Sequence, residues 1–239
     1  MKITIGHLFP DLLNLYGDRG NIAALTRRMQ ARGIETEVKP YGIDDDINFA
    51  DLDIVFIGGG SDREQLLVCK KLLTIKSDIT QYVENGGTLA AVCGGYQLLG
   101  HYYQLENEKI EGLKILDIYT VQGSPRLIGN IILDSDYIGT TVVGFENHGG
   151  RTFINSHKPL GKVLYGYGND GESGYEGVVY KNVVATYLHG PLLPKNPVLA
   201  DKIIKNAVMK KDASFVLSDI ESTLENTAHD YIIKRFLKK

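Results

Sequence analysis

The chain has 239 residues, of which 43% are hydrophobic and 23% are charged, and its net charge is −3. This length suits one well-cored α/β domain and is too short for two large ones, so we expect a single domain over residues 1–239. A slightly acidic protein offers no broad basic face, which argues against nucleic acid as a partner. The apolar runs are far shorter than the ~20 residues of a membrane-spanning helix, which argues against direct membrane insertion.

The N-terminal segment does not read as a secretion signal, because Gly6, His7 and Pro10 break its apolar run. We therefore predict a cytoplasmic location, where Cys69 and Cys93 should remain reduced. The cysteines and the six histidines lack the spacing of zinc ligands, so we expect no metal site. The glycine-rich fingerprints of ATP and dinucleotide sites are also absent, so we expect no cofactor in this chain.

The first half of the chain alternates predicted strands and helices, as in a parallel sheet covered by helices. Ser61 and Glu64 form a capping box, and the helix that they begin is expected to continue to Glu84. An earlier helix ends at Gly33. The predicted strands of this half are residues 2–6, 34–39, 53–57 and 88–92.

The second half has a different character, since residues 100–190 are rich in glycine and tyrosine and contain short β-like runs. We expect partly antiparallel strands that extend or decorate the same sheet. Asn196 and Pro197 are typical of a helix cap and a first helical position. A last helix is expected over residues 218–237. The predicted fold class is therefore three-layer α/β, with a mostly parallel sheet and extra antiparallel strands.

The segment with the clearest chemical meaning is the predicted strand 88–92, which leads directly into Cys93-Gly94-Gly95. A strand, a sharp turn and a helix form a nucleophile elbow, which exposes the nucleophile at the edge of the sheet. The two glycines let the backbone bend, and a helix N-terminus favours the thiolate. The alternative is a buried structural thiol, which is how we interpret Cys69 in the middle of a helix.

A thiol nucleophile needs an imidazole base, and the best candidate is His189. It ends the apolar run 183–188 and is followed by Gly190-Pro191, so it is expected at the same edge of the sheet as Cys93. His148 is the rival candidate, in a glycine-rich segment. We expect the other histidines at the surface: His7, His101, His157 and His229.

A glycine run, Gly58-Gly59-Gly60, follows the predicted strand 53–57 at the same edge. The backbone N–H groups of Gly59 and Gly60, together with that of Gly94, could form an oxyanion hole for a tetrahedral intermediate. The alternatives are a phosphate-binding turn or an ordinary tight turn.

The segments AAVCGGYQLLG, FIGGGSDREQ and TYLHGP, in this order, resemble the class I glutamine amidotransferases. NLYGDRGNI and GFENHGGRT narrow the resemblance to the cobyric-acid-synthase-like branch. Within that branch, nearly the whole chain is similar to the glutamine amidotransferase subunits of lipid II isoglutaminyl synthases. This resemblance implies a flavodoxin-like class I amidotransferase fold.

The resemblance also implies an activity. Cys93 would attack the side-chain amide of L-glutamine, with His189 as base, and ammonia would leave from a thioester intermediate. Gln97 and Arg126 match positions that contact the glutamine, and Arg126 would hold its α-carboxylate. The ammonia would pass to a Mur-ligase-like synthetase subunit in a heterodimer. That partner would carry ATP and magnesium and amidate the D-glutamate α-carboxyl of lipid II to D-isoglutamine.

One position departs from the wider superfamily, which has a glutamate two residues after its histidine, whereas this chain has Pro191. Either a Cys–His dyad works alone, or a carboxylate comes from elsewhere. Our hypothesis is that the synthetase partner supplies this third member of the triad, and Glu146 is the alternative within the chain. Other functions stay open: a cobyrinate-type amidotransferase component, a free-standing hydrolase of the same fold, or a non-catalytic ligand-sensing regulator. The presence of both Cys93 and His189 favours an enzyme.

Overall fold

The computed structural model describes residues 1–15 and 17–237, so Tyr16 of the NLYGDRGNI segment and Lys238 and Lys239 of the predicted domain lie outside it. The strands in chain order are β1 (Lys2–Leu8), β2 (Glu35–Tyr41), β3 (Ile54–Ile57), β4 (Thr88–Val92), β5 (Tyr102–Gln104), β6 (Lys109–Glu111), β7 (Tyr119–Ser135), β8 (Thr140–Phe153), β9 (Gly161–Tyr165), β10 (Tyr175–Glu176), β11 (Val178–Tyr180) and β12 (Val183–Thr186). The α-helices are α1 (Arg19–Gln30), α2 (Asp62–Thr74), α3 (Lys76–Glu84), α4 (Gly94–Leu98), α5 (Pro197–Lys211) and α6 (Thr223–Phe236).

The first sheet has the strand order β2-β1-β3-β4-β12, all parallel, with β11 added antiparallel at the edge. This is the order of flavodoxin-like folds, in which ligands bind at the carboxyl ends of the strands. The central strands β3, β4 and β12 are buried along their whole length, as a sheet covered on both faces requires. The predicted parallel sheet of the first half is confirmed.

Most strands of the second half form a separate sheet, ordered β10-β9-β7-β5-β6, with β8 paired to β7. The expectation that they extend the first sheet is therefore wrong, except for β11 and β12. Strands β7 and β8 form a long antiparallel pair, and in β8 alternate residues are buried. Such alternation reveals which face of a strand is covered, but it does not reveal which sheet the strand joins.

Several helix boundaries differ from the sequence prediction. The capping box is present, with the Ser61 N–H donating to Glu64 Oε2 at 2.7 Å, but the helix that it begins breaks at Ile75 into α2 and α3. Helix α5 begins as predicted, with Asn196 at the N-cap position and Pro197 as the first helical residue. The Asn196 side chain makes no capping hydrogen bond, because it bonds to the backbone N–H and carbonyl of Val143. The last helix begins at Thr223 instead of residue 218.

Within the described ranges, no helix combines the length and apolar character needed to cross a membrane.

Two buried side chains of this core bear on the earlier predictions. His7 was expected at the surface, but it lies in β1 with 4% exposure and its ring meets Phe56 edge-on. Burial lowers the pKa of His7 to about 4, so it is neutral there. Cys69 is a buried free thiol whose Sγ–H donates to the carbonyl of Glu111 at 2.6 Å, consistent with a structural role.

Candidate active site

The backbone turns sharply at Cys93, between β4 and α4, with φ of 51° and ψ of −106°. A non-glycine residue in so sparsely populated a region costs about 1–3 kcal/mol, and such strain clusters at functional sites. The turn is fixed from both sides. The Cys93 N–H donates to the carbonyl of Thr186 at 2.8 Å, and a methyl group on Gly95 would lie only 2.7 Å from the carbonyl oxygen of Ile57. The structure therefore has the predicted elbow geometry.

Cys93 and His189 meet beside Gly59. A methyl group added to Gly59 would lie 3.6 Å from Cys93 Sγ and 3.4 Å from His189 Cε1. Both atoms are therefore close to the same side of this glycine. The backbone of His189 is held by an antiparallel bridge to Phe145 of β8, with N–H···O distances of 2.8 and 3.3 Å. Because β4 and β12 are parallel neighbours, their carboxyl ends deliver the two side chains to one edge of the sheet.

The electrostatic environment keeps this pair uncharged at rest. Burial, followed by the nearby Asp18 carboxylate, raises the pKa of the Cys93 thiol to about 12, against the opposing effects of the Gly94 N–H and Arg126. Burial, followed by the proximity of His148 and Arg126, lowers the pKa of His189 to about 3. The resting site therefore contains a thiol and a neutral imidazole. We expected the N-terminus of α4 to favour the thiolate. This helix has only 5 residues, and burial has the larger effect on the pKa of Cys93.

Of the three glycines predicted to form an oxyanion hole, Gly59 and Gly94 lie against Cys93, but the N–H of Gly59 is occupied. The N–H of Gly59 donates to Asp18 Oδ2 at 2.8 Å, and its carbonyl accepts from the Leu15 N–H at 2.9 Å. Gly59 cannot bind an oxyanion while Asp18 holds its N–H. The N–H of Gly94 donates towards the Cys93 sulfur, and the carbonyl of Gly60 accepts from Gln65 Nε2 at 3.2 Å.

Both predicted glutamine-binding residues lie near the elbow. Arg126 is exposed and its guanidinium donates to the side-chain and backbone oxygens of Asn147 at 3.0–3.1 Å, close enough to influence both Cys93 and His189. Gln97 is buried, and its Nε2 donates to the Tyr187 hydroxyl at 3.0 Å. Its Oε1 has no hydrogen-bond partner among the described residues.

His148, the rival base, is committed elsewhere. Its ring stacks on Tyr187 with a centroid distance of 3.6 Å and an interplanar angle of 4°, and its Nδ1 bonds to the carbonyl of Gly150 at 2.8 Å. Its Nε2 lies 3.8 Å from Glu146 Oε2. Glu146 also accepts the backbone N–H groups of Tyr167 and Gly168 at 2.7 and 2.9 Å, so it pairs with His148 in the core.

Two buried carboxylates near the site were not singled out from the sequence. Burial raises the pKa of Asp18 to about 7 and that of Glu176 to about 8. Glu176 accepts hydrogen bonds from the Thr186 hydroxyl and the Tyr187 N–H at 2.8 and 2.7 Å, beneath the strand end that leads to His189. Asp18 lies in the NLYGDRGNI segment, and the resemblance of this segment to the cobyric-acid-synthase-like branch was a signal that could have identified it. No sequence pattern marked Glu176.

Solved structures share this fold at low sequence identity. A chain in the structure of PurLQS from Thermotoga maritima superposes with a TM-score of 0.58 at 14% identity, over 87% of this chain and 98% of that one. A glutamine amidotransferase from the same organism gives a TM-score of 0.54 at 14% identity, over 98% and 97% of the two chains. These likenesses confirm the predicted class I glutamine amidotransferase fold.

The sequence relatives are more similar. The chain is 45% identical to the GatD subunit of the glutamine-hydrolysing lipid II isoglutaminyl synthase of Staphylococcus aureus, over 98% of this chain and 96% of that protein. The corresponding Streptococcus pneumoniae subunit is 42% identical, over 88% and 82%. A probable cobyric acid synthase of Methanocaldococcus jannaschii is more distant, at 31% identity over 65% of this chain and 35% of that protein.

Residues 4–197 match the CobB/CobQ-like glutamine amidotransferase domain. This match covers most of the chain and includes the elbow, the Gly58–Gly60 loop and the end of β12. The chain therefore belongs to the CobB/CobQ-like family of glutamine amidotransferases.

Proposed function

We propose that this chain is the glutamine-hydrolysing subunit of a lipid II isoglutaminyl synthase, and that it supplies ammonia to a separate ATP-dependent synthetase. The chemistry rests on one observation: Cys93, at a strained elbow, and His189 lie against the same glycine. The choice of acceptor rests on the 45% identity to the Staphylococcus aureus subunit over nearly the full length of both chains.

The extent of similarity favours this function over the cobyrinate-type alternative. The chain is 45% identical to the Staphylococcus aureus subunit over 96% of that protein, but 31% identical to the cobyric acid synthase from Methanocaldococcus jannaschii over 35% of that protein. Because the relative that matches over nearly its full length is named as a subunit, we assign the synthetase activity to a separate polypeptide.

In the proposed reaction, His189 takes the proton of the Cys93 thiol as the sulfur attacks the side-chain amide carbon of glutamine. The tetrahedral intermediate collapses as the carbon–nitrogen bond breaks, and the amide nitrogen leaves as ammonia with the proton carried by His189. Water, deprotonated by His189, then attacks the γ-glutamyl thioester, and cleavage of the carbon–sulfur bond releases glutamate. The Gly94 N–H lies at the sulfur to stabilise the thiolate.

Substrate binding falls to groups around the elbow. Arg126 provides a guanidinium for the α-carboxylate of glutamine, since its fork geometry suits bidentate binding of carboxylates. The buried Oε1 of Gln97, which lacks a partner in the described part of the chain, is an acceptor available to an N–H of the substrate.

The third member of the triad is proposed to come from the synthetase. Pro191 replaces the glutamate that the wider superfamily has two residues after its histidine. The buried carboxylates near the site bond to other groups: Asp18 to Gly59, Glu146 to the backbone of Tyr167 and Gly168, and Glu176 to β12. An acidic side chain of a docked, Mur-ligase-like partner would orient His189 and stabilise its imidazolium. ATP and magnesium would bind that partner, and the reaction would take place in the cytoplasm.

Replacement of Cys93 by alanine should abolish glutamine hydrolysis and leave the fold intact, because no covalent path remains without the sulfur. Diazo-oxo-norleucine, an electrophilic glutamine analogue, should add a single label to Cys93, detected by peptide mass spectrometry. Cys69→Ala is the matched control and should retain both activity and labelling. A label on Cys69, or hydrolysis by the Cys93→Ala variant, would contradict the assignment.

Replacement of His189 by alanine should lower the glutaminase rate by about 10²–10⁴, the usual effect of removing a positioned general base. His148→Ala should lower the rate much less, because that ring packs on Tyr187 and its loss should appear mainly as a lower melting temperature. Steady-state rates and thermal melts of both variants test this. A larger rate loss in the His148 variant would identify His148 as the base.

Replacement of Arg126 by alanine should raise the KM for glutamine more than it lowers kcat, because the α-carboxylate is bound equally in the ground and transition states. Arg27→Ala, an exposed arginine on α1, is the control and should change neither parameter. An unaltered KM in the Arg126 variant would show that this arginine does not bind the substrate.

The isolated chain should be a weak glutaminase that is strongly activated by the synthetase subunit, since the acidic group proposed to orient His189 and stabilise its imidazolium belongs to that partner. Rates of the chain alone and in complex should differ, and removal of one acidic residue on the partner's docking surface should cancel the activation. Full activity of the chain alone would refute a shared triad. Collapse of the complex's activity in Glu146→Gln alone would place the third member within this chain.

A further inference from the structure

Asp18 lies in the segment before α1 and is completely buried, yet neither the proposed mechanism nor the fold accounts for a carboxylate at this position. Its Oδ2 accepts the Gly59 N–H at 2.8 Å. Its Oδ1 is also buried and has no hydrogen-bond partner within residues 1–15 and 17–237. A buried carboxylate with one unsatisfied oxygen is costly, so its presence calls for an explanation.

The segment that carries Asp18 binds both backbone polar groups of Gly59. The N–H of Gly59 is held by Asp18 and its carbonyl by the Leu15 N–H. A methyl group on Gly58 would lie 2.2 Å from the carbonyl of Leu13 and 2.8 Å from Asp18 Oδ2, so the two segments are in direct contact. Gly59 therefore contacts Asp18 through its N–H and also lies next to Cys93 and His189.

The ionisable groups that face the Cys93 sulfur come from several elements. They are Asp18 from the segment before α1, Asp62 from the start of α2, Tyr103 of β5, Arg126 of β7, and Tyr187 and His189 after β12. Among the carboxylates of this set, Asp18 has the larger effect on the thiol, and Asp62 is exposed at the surface. An anion here opposes formation of a thiolate, because like charges in a buried site repel strongly.

We propose that Asp18 is a positioning residue of this amidotransferase: it holds the Gly59 N–H beside Cys93, and it places a negative charge near the Cys93 sulfur. This inference rests on the proposed function for its catalytic meaning, because it concerns the same nucleophile. The restraint has a pH window. Burial raises the pKa of Asp18 to about 7, so the charge is present above that pH and absent well below it. The charge of Asp18 therefore opposes ionisation of the thiol at neutral to alkaline pH. This contribution is lost as Asp18 becomes protonated, whereas burial continues to favour the thiol.

Two substitutions separate the charge from the hydrogen bond. Asp18→Asn keeps an oxygen acceptor for the Gly59 N–H but removes the charge, and Asp18→Ala removes both. Alkylation of Cys93 by iodoacetamide, followed by mass spectrometry from pH 5 to 10 in a Cys69→Ala background, reports thiolate formation without requiring glutamine turnover. Asp62→Asn is the matched control, a carboxylate that faces the same thiol from the surface.

We expect Asp18→Asn to raise the rate of Cys93 alkylation by about tenfold between pH 8 and 10, since a single charge typically shifts a pKa by about one unit. The difference from the unsubstituted protein should vanish below about pH 6, where Asp18 itself is neutral. Asp62→Asn should raise the rate less. The kcat for glutamine hydrolysis should fall at least about tenfold in Asp18→Ala, a loss comparable to that of one positioned hydrogen bond. The Asp18→Asn variant should retain most of the original kcat.

An unchanged alkylation rate in Asp18→Asn at pH 8 to 10 would overturn the role of the charge. Equal glutaminase rates of Asp18→Ala and Asp18→Asn, with both variants folded by circular dichroism, would overturn the role in positioning Gly59. These outcomes are distinct from failure of the proposed function, which would appear as the absence of glutamine hydrolysis in the unsubstituted complex while the alkylation profiles still differed.

Discussion

The backbone turn at Cys93 is the constraint on which the rest of the site depends. A cysteine in this conformation is unfavourable and persists only where packing leaves no alternative. Here the Cys93 N–H is bonded to β12 and Gly95 is pressed against the carbonyls that follow β3. Three neighbouring strands of the parallel sheet therefore fix the sulfur, which makes its position a property of the rigid core. A nucleophile held this way loses little entropy on reaching its reactive geometry.

The same packing has an electrostatic cost. Burial removes water from both Cys93 and His189, so each favours its neutral form. Proton transfer between them creates two charges in a medium of low dielectric, which is costly unless neighbouring groups compensate. Arg126 favours the thiolate but opposes the imidazolium, and Asp18 opposes the thiolate. A group that stabilises a positive charge on His189 would therefore favour proton transfer from Cys93.

The second sheet contributes to the site as much as the first. Strand β8 supplies Phe145, whose backbone bridges His189, and Asn147, whose oxygens hold the guanidinium of Arg126. The neighbouring His148 stacks on Tyr187, and the Tyr187 hydroxyl in turn accepts from Gln97. These contacts connect the β7–β8 pair to the elbow through a continuous set of buried polar groups. The β7–β8 pair therefore positions both His189, the proposed base, and Arg126, the proposed substrate-binding arginine.

The sequence by itself determined the first parallel strands, the elbow and the location of His189 at a strand end. These features depend on local signals, namely apolar runs of strand length and glycines placed directly after them. Only the tertiary structure decided that β7 and β8 form a separate sheet, that Glu146 pairs with His148, and that the Gly59 N–H is taken by Asp18, 41 positions away in the chain. Residue alternation identifies the buried face of a strand without naming its neighbour, and long-range hydrogen bonds are selected by packing. The pKa values of Cys93 and His189 likewise follow from desolvation, which exists only once the chain has folded around them.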